Sequence, residues 1–277
     1  MAMYSLGAQE IKILDKGFVR LVQVMASDDL IVQAARTSYK WVKKSTDENL
    51  IDYLIRNEHS SPFEFAEFVF HVKVPIFVAR QMFRHRTASI SEVSARYTKV
   101  EDEYYHPQWR LQNKSNRQGS SNEGLINEEM DKEYRDLQEQ AYQTYEKLLA
   151  NGVSREVARS CLPVAYYTQF YWKQDLRNLL HFIRLRTDYH AQYEVRVVAQ
   201  AFAYFVQKYC PITYKSFMNN IVNSVRFTMH EIQLLFNENT IEQMYEALEK
   251  LEGTKKQELR EKLDKIRHIL IDASIKP

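Results

Sequence analysis

The sequence predicts an α+β fold from three observations. Residues 66–74 alternate apolar and polar side chains as a half-buried strand does, and the apolar run at 166–172 also reads as a strand. Helical patterns surround both strands without the regular alternation of parallel βαβ units. The 277 residues include only 6 glycines and 6 prolines, which indicates long elements and few tight turns. We therefore expect an α+β fold rather than a doubly wound sheet.

The N-terminal part predicts two amphipathic helices and a loop. Residues 28–39 should form the first helix, with Asp28 or Asp29 as its N-cap. Residues 47–57 repeat the helical pattern. The segment 58–65 is polar and contains a proline, which favours a rigid loop.

The strand at 66–74 leads into a helix. Its two faces are Phe68, Phe70, Val72 and Val74 on one side, and Val69, His71 and Lys73 on the other. Pro75 suits the first turn of a helix, which should continue over 76–83. We interpret His71 as structural rather than as a ligand.

The remaining elements of the main body follow in order. They are a mobile polar loop at 106–124, a long helix at 125–150 closed by Asn151 and Gly152, a short helix after Ser154 that stops before Pro163, the strand at 166–172, a helix capped by Asp175, and a helix at 190–209. After residue 221 two charged amphipathic patterns flank Gly253 and predict a helical hairpin. We expect two domains, residues 1–220 and 221–277.

Composition excludes several classes of protein. A net charge of +2 is too small for a protein that coats nucleic acid. Cys161 and Cys210 lie 49 residues apart, in no metal or redox spacing, so we expect reduced core thiols in a cytoplasmic protein. We see no signal peptide at the N-terminus and no apolar run of the ~20 residues that span a bilayer, so we expect no membrane partner.

Two groups of basic residues indicate anion binding. Residues 84–97, "RHRTASISEVSARY", hold three arginines, one histidine and three serines, with Glu92 as the only acid. Arg177, His181 and Arg184 follow at i, i+4 and i+7 on a helix, opposite an apolar stripe. The second group could equally be a solvated basic face. Arginine binds phosphates and planar acceptors in a bidentate way, so both groups together favour a phosphorylated ligand.

Common catalytic motifs are missing from the sequence. There is no GxxxxGK[ST], GxGxxG, HExxH or GxSxG. A phosphate site must therefore be built from side chains rather than from a glycine-rich loop. A serine–histidine–acid triad stays open, because geometry rather than spacing defines one.

The arginine cluster carries a family resemblance. Residues 84–96 fit the pattern R-H-R-x-x-S-x-x-x-x-S-x-R, which resembles the signature of the flavin-dependent thymidylate synthases. Four further segments resemble the family in the family's order, at 59–65, 70–86, 158–172 and 185–194. The resemblance covers roughly residues 9–220.

The resemblance implies a methyltransferase that converts dUMP to dTMP. In this family 5,10-methylenetetrahydrofolate supplies the carbon, NADPH reduces bound FAD, and no enzyme cysteine acts as nucleophile. The family's fold implies a mixed or antiparallel sheet packed with long helices. Its homotetramers imply active sites shared between subunits.

The resemblance also assigns residues by position. The expected FAD contacts are Ser61 from a neighbouring subunit, Arg84, His85, Arg86, Glu92, Asp175, Arg177 and His181. The expected dUMP contacts are Gln81, Arg84, Glu92, Ser94, Arg96, Arg159 and Arg186. Arg186 would lie against the uracil ring and favour loss of its N3 proton. We interpret Ser94 as a hydrogen-bond donor rather than a nucleophile, because no base is evident beside it.

Some positions depart from the family pattern. Asp175 stands where the family often has asparagine, so its contact with the cofactor would be through the backbone or it would serve as a helix cap. Ser91 and Ser61 replace a frequent asparagine and threonine. We expect residues 221–277 to pack between subunits.

Two other classes of function remain possible from the residues alone. A nucleic-acid-binding module could use the arginines with the 18 tyrosines and 14 phenylalanines, although the near-zero net charge and the lack of lysine clusters speak against it. A flavin-independent phosphate-ester enzyme lacks evident metal ligands and a nucleophile motif.

Overall fold

The structure is a computed structural model that describes residues 9–37, 45–114, 119–125, 127–250 and 253–274. The chain forms two compact units, Met1–Asn223 and Ser224–Pro277. The first unit combines an antiparallel sheet with helices, which confirms the α+β prediction.

A five-stranded sheet forms the centre of the first unit. The strands are β1 (Gln9–Ile13), β2 (Gly17–Met25), β3 (Glu67–Pro75), β4 (Ser89–Glu92) and β7 (Tyr167–Asp175). Their order in the sheet is β1-β2-β3-β7-β4, and every neighbouring pair is antiparallel. The alternation predicted for β3 is confirmed, because Phe68, Phe70, Val72 and Val74 are fully buried.

The helices of the first unit mostly follow the sequence pattern. They are α1 (Asp28–Arg36), α2 (Asp47–Arg56), α3 (Ile76–Met82), α4 (Glu128–Ala150), α5 (Arg155–Ala158), α6 (Leu176–Thr187), α7 (Tyr193–Tyr209) and α8 (Pro211–Phe217). The long helix is closed as predicted: Asn151 is the C-cap and Gly152 adopts a φ of 80°. Such a left-handed conformation favours glycine. Residues 38 and 39 of the first predicted helix lie outside the described residues.

The main core lies between the sheet and helices α6 and α7. The Phe70 and Phe202 rings lie 4.4 Å apart, and Trp172 stacks on Phe202 at 5.0 Å. Phe182 of α6 contacts both Trp172 and Phe202. These large buried rings fix α6 against β7, the strand that precedes it in the chain.

The cap of α1 differs from the prediction. Ser27 is the N-cap, since its Oγ accepts from the backbone N–H of Leu30 at 3.1 Å. Asp28 is buried and accepts from the backbone N–H groups of Ile212 and Thr213 and from the Thr213 hydroxyl. The carboxylate thus joins the start of α1 to the start of α8 instead of closing its own helix.

Two segments expected to be loops have regular structure. Residues Ser61–Phe65 form a 3₁₀ turn in which Pro62 and Phe63 are buried. Within 106–124, β5 (Arg110–Gln112) and β6 (Ser120–Gly124) pair antiparallel, while residues 115–118 lie outside the described residues. Cross-strand hydrogen bonds, rather than apolar alternation, define this hairpin.

The turn between β1 and β2 has little room. A Cβ placed on Gly17 would lie 2.8 Å from the carbonyl oxygen of Lys73 and 3.0 Å from that of Ile13. Both neighbours are backbone atoms of paired strands, so neither can move without disturbing the sheet. Glycine is therefore required at this position by close backbone approach.

The second unit contains helices α9 (Met229–Leu235), α10 (Glu238–Leu248) and α11 (Gly253–Ser274). Helices α10 and α11 contact each other, as the hairpin prediction expected. The Tyr245 hydroxyl donates to Asp264, and Glu249 pairs with Lys256 and Arg260. The sequence pattern did not predict α9. Among the described residues of the whole chain, no helix has the length and apolar character that crossing a membrane requires.

Candidate active site

A basic cavity opens where three segments of the first unit meet. Its volume is about 540 Å³. The lining residues come from the turn after α3, from the end of β7 and from α6: Arg84, His85, Arg86, Thr87, Gln174, Asn178, His181, Leu185 and Arg186. The two basic groups recognised in the sequence thus meet in part. Arg84, His85 and Arg86 of the first group and His181 of the second line the cavity, whereas Arg177 and Arg184 do not.

Local structure explains why these side chains converge. Helix α3 ends at Met82, and the backbone N–H of His85 then donates to the Met82 carbonyl, which turns the chain. On the other side, Asn178, His181 and Leu185 follow at i, i+3 and i+7, so they share one face of α6. The opposite face of α6 is buried in the core, as predicted from its apolar stripe.

The cavity has no negative charge of its own. None of its lining residues is a carboxylate. Within the described part of the chain, the guanidinium groups of Arg84, Arg86 and Arg186 form no ion pair with an acid. Three unneutralised cations in one small volume repel each other, and a bound anion would relieve that repulsion.

Arg186 lies beside a neutral histidine. Its Nε donates to Nε2 of His85 at 3.2 Å, so His85 carries its proton on Nδ1. Burial, together with the charges of Arg186 and His181, lowers the pKa of His85 to about 4. Burial and the nearby Arg84 also lower the pKa of Arg186 from its ordinary value. His85 is therefore a neutral acceptor that holds the guanidinium in place.

Gln174 lines the cavity and has an acceptor atom without a partner. Its side chain is only 2% exposed, and its Nε2 donates to Oγ1 of Thr87 at 2.8 Å. Its Oε1 is buried without a hydrogen-bond partner. A buried carbonyl oxygen without a partner costs free energy, so this atom suits a donor from a ligand.

The remaining predicted FAD residues do not line the cavity. Asp175 is the N-cap of α6: its Oδ1 accepts from the backbone N–H of Asn178 and its Oδ2 from the Asn178 amide. The helix-cap interpretation of Asp175 is confirmed. Arg177 donates to Glu64 of the 3₁₀ turn at 2.7 Å, and the exposed Ser61 begins that turn.

Most of the predicted dUMP residues also lie outside the lining. Glu92 on β4 accepts from Oγ1 of Thr168 at 2.6 Å. Arg96 forms an exposed ion pair with Glu156, three residues before Arg159. Ser94 accepts from the Arg96 backbone N–H, which leaves its hydroxyl proton available to donate. Gln81 on α3 donates to Gln192.

The structure thus brings together part of the predicted set. Arg84, His85, Arg86, His181 and Arg186 line one cavity, whereas the other predicted residues lie elsewhere on the same unit. Sequence reasoning missed four lining residues, which are Thr87, Gln174, Asn178 and Leu185. Helical spacing from His181 could have found Asn178 and Leu185, but nothing local marks Gln174. Among the described residues, no group of three or more His, Cys, Asp or Glu side chains could hold a metal ion.

Comparisons with known proteins identify the family of this chain. Residues 20–212 match the family described as thymidylate synthase complementing protein. The chain belongs to this family. A Thermus thermophilus member named flavin-dependent thymidylate synthase is 46% identical over 263 residues, covering 94% of this chain and 97% of that protein. A member of the same name from Ehrlichia ruminantium is 48% identical over 237 residues, covering 82% of this chain and 79% of that protein.

A solved structure shares the fold of this Thy1 family member. It is the UMP/dUMP methylase PolB from Streptomyces cacaoi bound with 5-Br dUMP, with a TM-score of 0.67 and 32% identity. The likeness covers 76% of this chain and 97% of that one. A second structure of the same methylase, bound with 5-Br UMP, matches equally well.

Proposed function

We propose that this Thy1 family member is a flavin-dependent thymidylate synthase that methylates dUMP to dTMP. One observation carries the proposal: the arginine signature of the sequence forms a cavity with three cations and no carboxylate. The names of the relatives support the reaction, and the nucleotide-bound methylase structures support a pyrimidine nucleotide as substrate.

The cavity fits FAD as the cofactor. Arg84 and Arg86 offer charge for a diphosphate, and the unpartnered Oε1 of Gln174 offers an acceptor for a flavin N–H. His85, Arg177, His181 and Ser61 remain the other proposed FAD contacts. Reduced FAD, when bound, supplies the hydride that completes the methyl group. The resemblance assigns its reduction to NADPH and the carbon to 5,10-methylenetetrahydrofolate.

Arg186 is the proposed catalytic residue. It is half-buried, and the neutral imidazole of His85 orients it without cancelling its charge. A fixed cation beside N3–H of the pyrimidine favours loss of that proton, because it stabilises the anion that forms. This step activates the ring without a covalent bond to the enzyme.

The two cysteines fit a reaction without an enzyme nucleophile. Cys210 is fully buried, and burial raises the pKa of its thiol above the ordinary value. Cys161 donates its S–H to the carbonyl oxygens of Ala158 and Ala141. Neither residue lines the cavity.

A shared site accounts for the predicted residues outside the lining. Glu92, Ser94, Arg96 and Arg159 would meet the nucleotide from a neighbouring subunit, and Ser61 would meet the flavin in the same way. Arg96 and Arg159 have exposed side chains that could reach another copy of the chain. We therefore propose a homotetramer whose active sites combine residues of several subunits.

The decisive experiment is an anaerobic assay of the purified protein. FAD, NADPH, dUMP and methylenetetrahydrofolate are added, and dTMP is measured by chromatography while flavin absorbance is recorded. We expect Arg186→Ala to lower kcat/KM for dUMP by about 100-fold or more with flavin still bound, as the loss of one fixed charge at a developing anion does. Arg184→Ala is the matched control, because Arg184 is an exposed arginine of the same helix outside the cavity lining.

Two results would overturn the proposal. A wild-type protein that binds flavin but forms no dTMP has another substrate. A protein that binds no flavin, but binds single-stranded nucleic acid through the arginines, would belong to the class of binding modules.

A further inference from the structure

We propose that Glu194 is a positioning residue that, acting through Gln192, fixes the side-chain amide of Gln81 with its oxygen facing the nucleotide. The proposal rests on the function proposed above and on the dUMP contact that the family resemblance assigns to Gln81. It adds Glu194 and Gln192 to the site, although none of these three residues lines the cavity.

Glu194 is a buried carboxylate held by several donors. It lies in the first turn of α7 and is 2% exposed. Its Oε1 accepts from a guanidinium N–H of Arg110 and from the Tyr105 hydroxyl, and its Oε2 accepts from Nε2 of Gln192 at 2.9 Å. Burial alone would raise the pKa of Glu194, but the hydrogen bonds from Arg110 and Gln192 keep it below its ordinary value. Glu194 is thus an ionised group that can only accept.

The charge of Glu194 decides the orientation of two amides. Amide oxygen and nitrogen have nearly the same shape, so packing alone does not choose between the two orientations. A carboxylate requires a donor, so Gln192 must direct its NH₂ group to Glu194 and its oxygen to Gln81. Gln81 must then donate its own NH₂ to that oxygen, as the contact between Nε2 of Gln81 and Oε1 of Gln192 shows.

The consequence is a directional acceptor at the site. Because Nε2 of Gln81 donates to Gln192, Oε1 of Gln81 is left to accept a hydrogen bond from a ligand. A ring N–H or a sugar hydroxyl of a pyrimidine nucleotide supplies such a donor. An inverted amide would instead face the nucleotide with a donor, and that hydrogen bond would be lost.

The test measures dUMP affinity of the flavin-loaded protein by calorimetry. Glu194→Gln keeps the shape but can also donate, so Gln192 and Gln81 lose their fixed orientation. We expect a Kd for dUMP that is about tenfold weaker, the usual effect of losing one hydrogen bond to a ligand. Flavin affinity should stay within about twofold of the wild type.

A double-mutant cycle separates positioning from general damage. In a Gln81→Ala background, Glu194→Gln should change the Kd for dUMP by less than about twofold, because the group it orients is gone. Glu103→Gln is the control: Glu103 also accepts a hydrogen bond from a cation, Lys73, but it does not contact Gln192 or Gln81. If Glu194→Gln does not fold, Gln192→Leu breaks the same connection while Glu194 keeps its hydrogen bonds from Arg110 and Tyr105, and it should give the same tenfold loss.

Each outcome is decisive. A tenfold loss in the wild-type background that disappears in the Gln81→Ala background supports the inference. Equal losses in both backgrounds, or dUMP affinity unchanged by Glu194→Gln, overturn it while the proposed function stands. A wild-type protein that does not bind dUMP overturns the proposed function, and the role of Glu194 with it.

Discussion

A half-buried guanidinium usually pairs with a carboxylate, but Arg186 has the imidazole of His85 as its partner. An acid at that place would neutralise the charge that a developing anion needs. A neutral histidine orients the guanidinium and leaves its charge in place. The cost is that His85 must stay unprotonated, since a protonated His85 would place another cation beside Arg186.

This cost predicts a pH dependence of stability. The pKa of His85 is about 4 in the folded protein and about 6.5 when unfolded, so the unfolded state binds the proton more readily between these values. The free energy of unfolding should therefore fall as the pH drops from about 6.5 to 4. His85→Asn should reduce that fall by about 1 kcal/mol, because solvent screens part of the charge repulsion at this partly exposed side chain. Urea unfolding at pH 7.5 and pH 4.5 measures it, and identical pH slopes for both proteins would contradict it.

Gln174 allows a sharper test of the cofactor site. Gln174→Leu removes the unpartnered acceptor and should weaken FAD binding about tenfold, or about 1.4 kcal/mol. Gln138→Leu is a matched control, because Gln138 is equally buried, also has an unpartnered Oε1, and lies on α4 outside the cavity lining. Flavin fluorescence titration compares the two variants. The expectation fails if both lose affinity to the same extent.

At the residue scale, sequence alone could predict the basic members of the site. Arginines and histidines in a short motif are visible as letters, and their charge predicts an anionic ligand. Gln174 was not predictable in the same way, because its role depends on where β7 ends against the turn at 84–87. Asn178 could be found only through its helical spacing from His181. Glu194 was hidden for the same reason, since its partners Arg110 and Tyr105 lie far from it in sequence.

At the scale of elements, periodicity predicted the long helices and the strands β3 and β7, but β1 and β2 were not predicted. It failed for β4, whose sequence Ser89–Glu92 is exposed and has no apolar alternation. That strand exists because it pairs with Lys173–Phe170 of β7. It also failed for the 3₁₀ turn, where buried Pro62 and Phe63 outweigh the polar composition of the segment.

The junction of α1 with α8 gives a prediction at this scale. Asp28→Ala leaves the N–H groups of Ile212 and Thr213 without their acceptor in a buried place, so we expect a loss of about 2–3 kcal/mol in the free energy of unfolding. Asp29→Ala, at the exposed neighbouring position of the same helical turn, should cost less than about 0.5 kcal/mol. Chemical denaturation of both variants measures the difference. Equal costs would mean that Asp28 acts only through the helix dipole.

At the scale of the whole molecule, the two units differ in what they contain. The cavity and the main core cluster lie within Met1–Asn223. That unit has 223 of the 277 residues, about 80% of the chain. The match to the Thermus relative covers 94% of the whole chain, which is more than the first unit alone. Part of Ser224–Pro277 is therefore shared with that relative. The sequence predicted a boundary near residue 221, because charged amphipathic helical patterns replace the mixture of strand and helix patterns there.

Removal of the second unit tests our proposal for its role. A chain ending at Asn223 should still fold and bind FAD, because all lining residues are present. If residues 221–277 pack between subunits, light scattering should give a molar mass of fewer than four truncated chains, whereas the full-length protein should give the mass of the proposed tetramer. A truncated protein that remains a tetramer would contradict this role, and one that loses flavin would show that the second unit supports the site.

The crowded turn at Gly17 affects how a map of substitution tolerance should be read. Every other amino acid carries a Cβ, which would lie 2.8 Å from the carbonyl oxygen of Lys73, so a scan of all variants would find this position intolerant. In a growth selection it would be indistinguishable from Arg186, although it is not among the residues that line the cavity. Measuring the abundance of each variant beside growth would separate the two, because Gly17 variants would be depleted as proteins and Arg186 variants would accumulate without supporting growth.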